Sequence, residues 1–352
     1  MLSVSIDISS LNTHPAIQGD WIDAPHHLSN IGDLSLELGG LIKNCQVSYV
    51  VHGDLGDESK PLVIFLCAIG SIHHRLDFLI NQSRTLDIKN TRIIAIDALG
   101  NGFSSSPSNS KDQPFFQFPK FTIRDMVQSQ KKLLDQLGMT HVNTIIGASM
   151  GGMQALQWAV SYPDFMDDIV ALTPMSKTTA WASSMTRAAR ESLAPHIEMN
   201  GSYDPDTAWS AWLPIMQMLA MRTPKQCDEQ FTDIAQVQDW YGQRLQWWKT
   251  MNFHPLDWIY QSIAYDAHDV SKTAPFNGNL AKALGSIKAK CLIGVPSLDL
   301  FNPVEQAKYT ASLIPHCTLV NLDTSWGHMA ASALDAPSTR TISMAIDSLT
   351  DR

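Results

Sequence analysis

The chain has 352 residues, 44% hydrophobic and 17% charged, enough to bury a large core as one domain with an insertion or as two domains. Its formal charge is -9, and no run of Lys and Arg is concentrated enough to neutralise a row of phosphates, so no nucleic-acid partner is expected. The most apolar run, PLVIFLCAIG, falls far short of the roughly 20 residues that cross a bilayer, so no membrane partner is expected either.

In chain order, the opening MLSVSIDISSLNTHP lacks the basic and apolar regions of a signal peptide. Five scattered cysteines, with no CxxC spacing, read as free thiols of a reducing compartment, and a cytoplasmic location is the expectation. QVSYVVHGD (46 to 54) and PLVIFLCAIG (61 to 70) read as strands, as do TRIIAIDALG (91 to 100) and HVNTIIGAS (141 to 149). Apolar runs such as LVIFL suit strands covered on both faces. Between the last two strands, Ile123, Met126, Val127, Leu134 and Leu137 fall on one helical face. Thr122 and Asp125 fit a capping box at its start, and Gly138 fits its stop.

After DDIVALTPMS (167 to 176) the rhythm changes. Residues 177 to 285 carry most of the tryptophans and amphipathic helical runs such as AWSAWLPIMQMLAMR. AKCLIGVPS (289 to 297) and CTLVNLDTS (317 to 325) then restore the strands. The expected architecture is α/β: a mostly parallel sheet with helices on both faces, formed by 1–176 and 286–352, and interrupted by a helical lid at 177–285. The lid tryptophans fit a core, a pocket wall that excludes water, or the interface of a homodimer.

Gly147-Ala148-Ser149-Met150-Gly151 matches G-x-S-x-G, at the end of a strand and the start of a helix. An ordinary turn serine is one reading. The other is a nucleophile on a tight turn, with small neighbours and helix N–H groups beside the charge that develops. A serine hydroxyl needs a base, and His328 in SWGHMAAS follows the last strand. An acid is needed to orient the imidazole. Asp299, in SLDLFNPVEQ after the preceding strand, completes the order Ser149, Asp299, His328, with Asp323 as the rival acid. For the oxyanion hole the backbone N–H groups of Met150 and Ile69 are the candidates. His73 and His74 read as loop residues and not as metal ligands, because adjacent histidines do not make the i, i+4 pair of a zinc helix. No metal and no bound cofactor are expected.

Three segments resemble the homoserine O-acetyltransferase family within the α/β-hydrolases: FTIRDMVQSQKKLLDQLG, GASMGGMQALQWAVSYPD, and FNGNLAKALGSIKAKCLIG followed by LDLFNPVEQ. The resemblance implies two-step transfer. Ser149 takes an acyl group from acetyl-CoA or another acyl-CoA co-substrate, and His328 activates the hydroxyl of a small-molecule acceptor. The chain departs from the family pattern in three places, one of them the lack of the family's Arg- and Tyr-rich lid segment. Met329 stands where the family usually has an acidic residue that helps hold the acceptor's amino group, which marks Met329 as a substrate-binding position. CAIGS replaces H-A-L-T-G in the oxyanion loop. Acyl transfer to an altered acceptor, ester hydrolysis on the same frame, and a non-enzymatic binding protein are the three readings.

Overall fold

The structure, a computed structural model, describes residues 14–351. The signal-peptide reading concerns Met1–Thr13, which lie outside the described residues. Strands β1 (His26–Asn30), β4 (Gln46–His52), β5 (Leu62–Leu66), β6 (Arg92–Ile96), β7 (Val142–Ala148), β8 (Met166–Leu172), β9 (Lys290–Pro296) and β10 (Cys317–Leu322) form one sheet. Its order is β1-β4-β6-β5-β7-β8-β9-β10. β2 (Leu34–Ser35) and β3 (Leu41–Ile42) make a separate small hairpin.

From β6 to β10 every neighbouring pair is parallel, whereas β1 and β4 join antiparallel. The sequence accounts for this division. LVIFL in β5 and RIIAI in β6 are buried at every residue, because helices cover both faces. β1 reads HHLSN, with neither alternation nor β-branched residues, and it sits at an edge. Composition gave no signal for it, and it forms by pairing with β4 from Asn30 opposite Gln46 to His26 opposite Val50.

Helix α1 (Ile123–Gln136) starts with the expected capping box of Thr122 and Asp125, and Gly138 follows it in the left-handed region at φ 75°. α2 (Met150–Ser161) follows β7 directly. Between β8 and β9 lie α3 (Ala180–Leu193), α4 (Pro205–Leu213), α5 (Pro224–Gln230), α6 (Ile234–Thr250), α7 (Pro255–Asp266) and α8 (Leu280–Gly285). α9 (Val304–Leu313) and α10 (Ala336–Thr350) flank β10.

The run AWSAWLPIMQMLAMR is not one regular helix. α4 ends at Leu213, and Pro214–Ala220 continues as a π-helical segment. Pro214 brings no N–H and its ring crowds the carbonyl four residues back, so the α-helical ladder cannot pass through it. The tryptophans divide by position. Trp209, Trp212, Trp248 and Trp258 are buried against one another, with ring centroids 4.7 to 5.5 Å apart. Trp181 is 55% exposed.

Candidate active site

The site is assembled at the carboxyl ends of β5, β7, β9 and β10, where open α/β sheets bind ligands. Ser149 is the single residue between β7 and α2, at φ 56° and ψ -122°. That conformation is costly for a residue with a side chain, and it persists only where the surroundings fix it. The glycines make room for it. A Cβ on Gly147 would lie 2.1 Å from the Gly151 carbonyl oxygen, and one on Gly151 would lie 2.5 Å from that of Leu66. The turn is pinned by Ser149 N–H, which donates to the Leu172 carbonyl at 2.8 Å.

His328 sits in a short 3-10 turn, Gly327–Ala330, just after β10. Its Nε2 lies 2.8 Å from Ser149 Oγ, and its Nδ1–H donates to Asp299 Oδ2, also at 2.8 Å. The other carboxylate oxygen of Asp299 accepts from the N–H groups of Phe301 and Asn302 at 2.9 and 2.8 Å. These bonds fix the carboxylate, which fixes the imidazole tautomer that leaves Nε2 free to accept the serine proton. Ser149, His328 and Asp299 are all buried, whereas Asp323 is exposed. The imidazole packs edge-on against Phe301 at 5.1 Å, and Phe301 stacks on Tyr265 of α7.

Met150 is the first residue of α2, so its N–H has no intrahelical acceptor. Ile69 lies in the loop after β5, and its N–H meets no hydrogen-bond acceptor among the described residues. Two glutamines that the sequence reading passed over hold this loop. Gln154 Nε2 donates to the Cys67 carbonyl at 2.9 Å, and Gln154 is linked through Gln130 to Trp158. Gln261 of α7 accepts from Gly70 N–H at 3.0 Å and donates to the Leu99 carbonyl at 3.1 Å. Both are fully buried. A polar residue at a buried position of a helix was the available signal, and nothing in the sequence named its partners.

Met329 is half-buried and borders a cavity of about 240 Å³, together with Gly70, Ser71, Trp247 and Phe253. Neighbours of Ile69 and His328 thus line this cavity, and Ser149 itself does not. A larger hollow of about 390 Å³, between Pro61, Asn143 and Thr350, lies at the amino ends of the parallel strands, away from the serine. Arg222 was also missed. It is buried, lies over Trp240 at 4.6 Å, and donates to Gln226 and Gln230 at 2.5 and 2.6 Å. No carboxylate pairs with it among the described residues, and burial lowers its pKa. Its neighbour Thr223 donates to the Ser325 carbonyl at 2.6 Å, which ties this segment to the His328 loop.

His73 and His74, read as loop residues, instead begin a 3-10 helix (His73–Leu79) and are buried. No helix among the described residues is long and apolar enough to cross a membrane.

Residues 61–331 match the α/β-hydrolase fold family. The chain belongs to that family. A homoserine O-acetyltransferase of Nostoc punctiforme is 30% identical over 322 residues, covering 84% of this chain and 88% of that one. A probable esterase of Corynebacterium glutamicum is 28% identical over 323 residues, covering 88% of this chain and 90% of that one. Among solved structures, an acetylester hydrolase from Corynebacterium glutamicum superposes with a TM-score of 0.85 at 25% identity, covering 93% of this chain and 96% of that one. This α/β-hydrolase is an enzyme of acyl groups, working by acyl transfer or by ester hydrolysis.

Proposed function

We propose that Ser149 is the nucleophile, His328 the base and Asp299 the orienting acid of an enzyme that cleaves short acyl esters through an acyl-enzyme and passes the acyl group to water. The hydrogen-bonded chain from Ser149 Oγ through His328 to Asp299, on a strained elbow, is the observation that carries this reading. His328 Nε2 takes the serine proton as Oγ attacks the ester carbonyl. The Met150 and Ile69 N–H groups receive the oxyanion, each worth about 3 kcal/mol in such sites. The imidazolium returns its proton to the leaving alcohol. Water then repeats the sequence against the acyl-enzyme and frees Ser149.

The acceptor side supports hydrolysis. Met329 follows the base directly and offers no charge to an ammonium group, so homoserine lacks the partner that a carboxylate at this position supplies. Residues 177–285 act as the cap over the core of 1–176 and 286–352. Gln261 and the tryptophan cluster support this division, since α7 reaches down to hold the loop that carries Ile69.

A second reading is favoured by Arg222. A buried guanidinium without a carboxylate, beside the His328 loop, suits a substrate that brings its own carboxylate. In this reading the small-molecule donor is an acyl-CoA and the acceptor is a hydroxy acid. One experiment separates the two. The chain is incubated with 4-nitrophenyl acetate or acetyl-CoA, each alone, with homoserine or with the amine-free hydroxy acid 4-hydroxybutanoate. Free acetate, acylated acceptor and serine-bound acetyl are measured by mass spectrometry, efficient acylation of either acceptor favouring transfer. Free acetate from the ester, with little acylated homoserine, is expected. Efficient acetylation of homoserine from acetyl-CoA overturns the hydrolytic reading, and absence of any acetyl adduct on Ser149 overturns the acyl-enzyme.

A further inference from the structure

Four of the twelve histidines converge away from the triad. His14, His26, His73 and His74 each present one ring nitrogen, and these four nitrogens lie within 4.8 Å of one another. The pairs His73–His74, His26–His73 and His14–His26 have ring centroids 4.3 to 4.5 Å apart.

Each ring of the inner pair has one nitrogen engaged. His73 Nδ1–H donates to Asp97 Oδ2 at 2.9 Å, and His74 Nδ1–H donates to Asp77 Oδ2 at 2.5 Å. Both carboxylates are held in turn. Asp97 accepts from Ser48, Asn101 and the His73 backbone, and Asp77 from Ile22 N–H. The remaining nitrogens, Nε2 of His73 and His74, Nε2 of His14 and Nδ1 of His26, are buried and have no hydrogen-bond partner among the described residues. Four orphaned imidazole nitrogens in one place are an expensive arrangement for a protein that gains nothing from them.

We infer that these four histidines bind a zinc ion, with Asp97 and Asp77 as the carboxylates that orient His73 and His74. The donor set suits a borderline-soft cation, for which four imidazoles make a closed tetrahedral shell. Zinc–nitrogen bonds of about 2.0–2.1 Å place tetrahedral ligand atoms roughly 3.4 Å apart, so the widest pair closes by about 1.4 Å on binding. A carboxylate on the far nitrogen is the arrangement that fixes the tautomer and strengthens a ligating imidazole. Two anionic carboxylates balance the two positive charges of the ion.

With four protein ligands the ion has no open position, so it serves structure and not chemistry. His73 and His74 begin the 3-10 helix that follows the Ile69 loop. His14 and His26 bracket the segment that places Gln18 and Trp21 against the cavity beside Met329. The ion therefore ties that wall of the cavity to the oxyanion loop.

The test uses the full chain with any histidine tag removed. It is loaded with zinc, passed over a chelating resin, and assayed for metal by mass spectrometry. The native chain and Ser149→Ala are expected to retain about one zinc per chain, while His26→Gln and His73→Gln fall below about a tenth. The cobalt-loaded native chain is expected to show the strong visible bands of a tetrahedral site. Circular dichroism checks each variant. Should His73→Gln not fold, His14→Gln, at the half-buried margin of the cluster, replaces it. Less than about a tenth of a zinc in the loaded native chain, undiminished zinc in the folded variants, or weak octahedral cobalt bands each overturns the site. None of these readouts depends on turnover, so the metal site and the acyl-enzyme stand or fall separately.

Discussion

His328 and His73 are both buried, and each gives Nδ1–H to an aspartate at 2.8 or 2.9 Å. They differ at the other nitrogen. Nε2 of His328 meets a hydroxyl, whereas Nε2 of His73 meets three more imidazoles and no proton donor. A carboxylate–imidazole pair is a general part whose use is set by what faces the second nitrogen. Opposite a hydroxyl it moves a proton. Opposite other lone pairs it attracts a cation.

The comparison is tested most severely at the serine. Ser149→Ala removes the proton donor from one pair and leaves the other untouched. Turnover of 4-nitrophenyl acetate should fall by about 10⁴-fold or more, and labelling by a fluorophosphonate should disappear while zinc content stays the same. Next come the two orienting carboxylates. Asp299→Asn presents the wrong tautomer to Ser149, and a loss of about 10⁴-fold in kcat is expected, as in the serine protease case from which that figure comes. Asp323→Asn should change kcat less than about threefold, since surface substitutions away from such partners do little. Asp97→Asn, the counterpart in the cluster, should weaken zinc by about 10- to 100-fold. If Asp323→Asn were the damaging change, the acid would have been assigned wrongly.

Gln261 reaches the loop that connects the two histidine sites. Gln261→Ala leaves Gly70 N–H and the Leu99 carbonyl without their buried partner, at a cost of about 1–3 kcal/mol in stability. We predict a drop of about tenfold in kcat with little change in zinc, because the loop carries Ile69, whose N–H is the proposed oxyanion donor. Unaltered kcat with lower stability would make Gln261 purely structural. Met329 borders the cavity that His74 also lines. Met329→Asp should raise acetyl transfer to homoserine, relative to a neutral alcohol, by up to about tenfold, since a partly buried ammonium gains a partner. No change in that ratio would separate Met329 from the acceptor.

The smallest effect expected is at Asp257, away from both histidine sites. Burial raises its carboxyl from 3.8 to about 7, against the hydrogen bonds that Ser108 donates. Between these values the folded chain holds a proton that the unfolded chain has released. This group's contribution to stability therefore falls as pH rises through the window. Asp257→Asn removes that dependence. Denaturant unfolding at pH 5 and pH 8 should show a smaller loss on going to high pH in the variant, with turnover and zinc unchanged. An identical pH difference in both proteins would show that Asp257 is charged throughout.

The sequence by itself determined the strands from β4 to β10, the capped start of α1 and the chain order of the proposed triad, Ser149, Asp299 and His328. Those features are local. Apolar runs, a capping pair and a glycine-flanked serine act over a few residues, and the three triad positions follow strand ends that the same rhythm marks. Tertiary structure decided the rest. β1 exists because β4 offers it an edge, and HHLSN carries no propensity of its own. Strand order ranked Asp299 ahead of Asp323, but only the folded loop turns the Asp299 carboxylate toward His328 while Asp323 stays in solvent. Gln154, Gln261 and Arg222 acquire their meaning from partners or neighbours on other elements. The histidine cluster shows the limit most plainly. His14, His26 and the adjacent pair His73 and His74 have no ligand spacing in sequence. They meet because β1 pairs at the sheet edge and the 3-10 helix after β5 turns beneath it, and only folding brings groups so distant in the chain within reach of one ion.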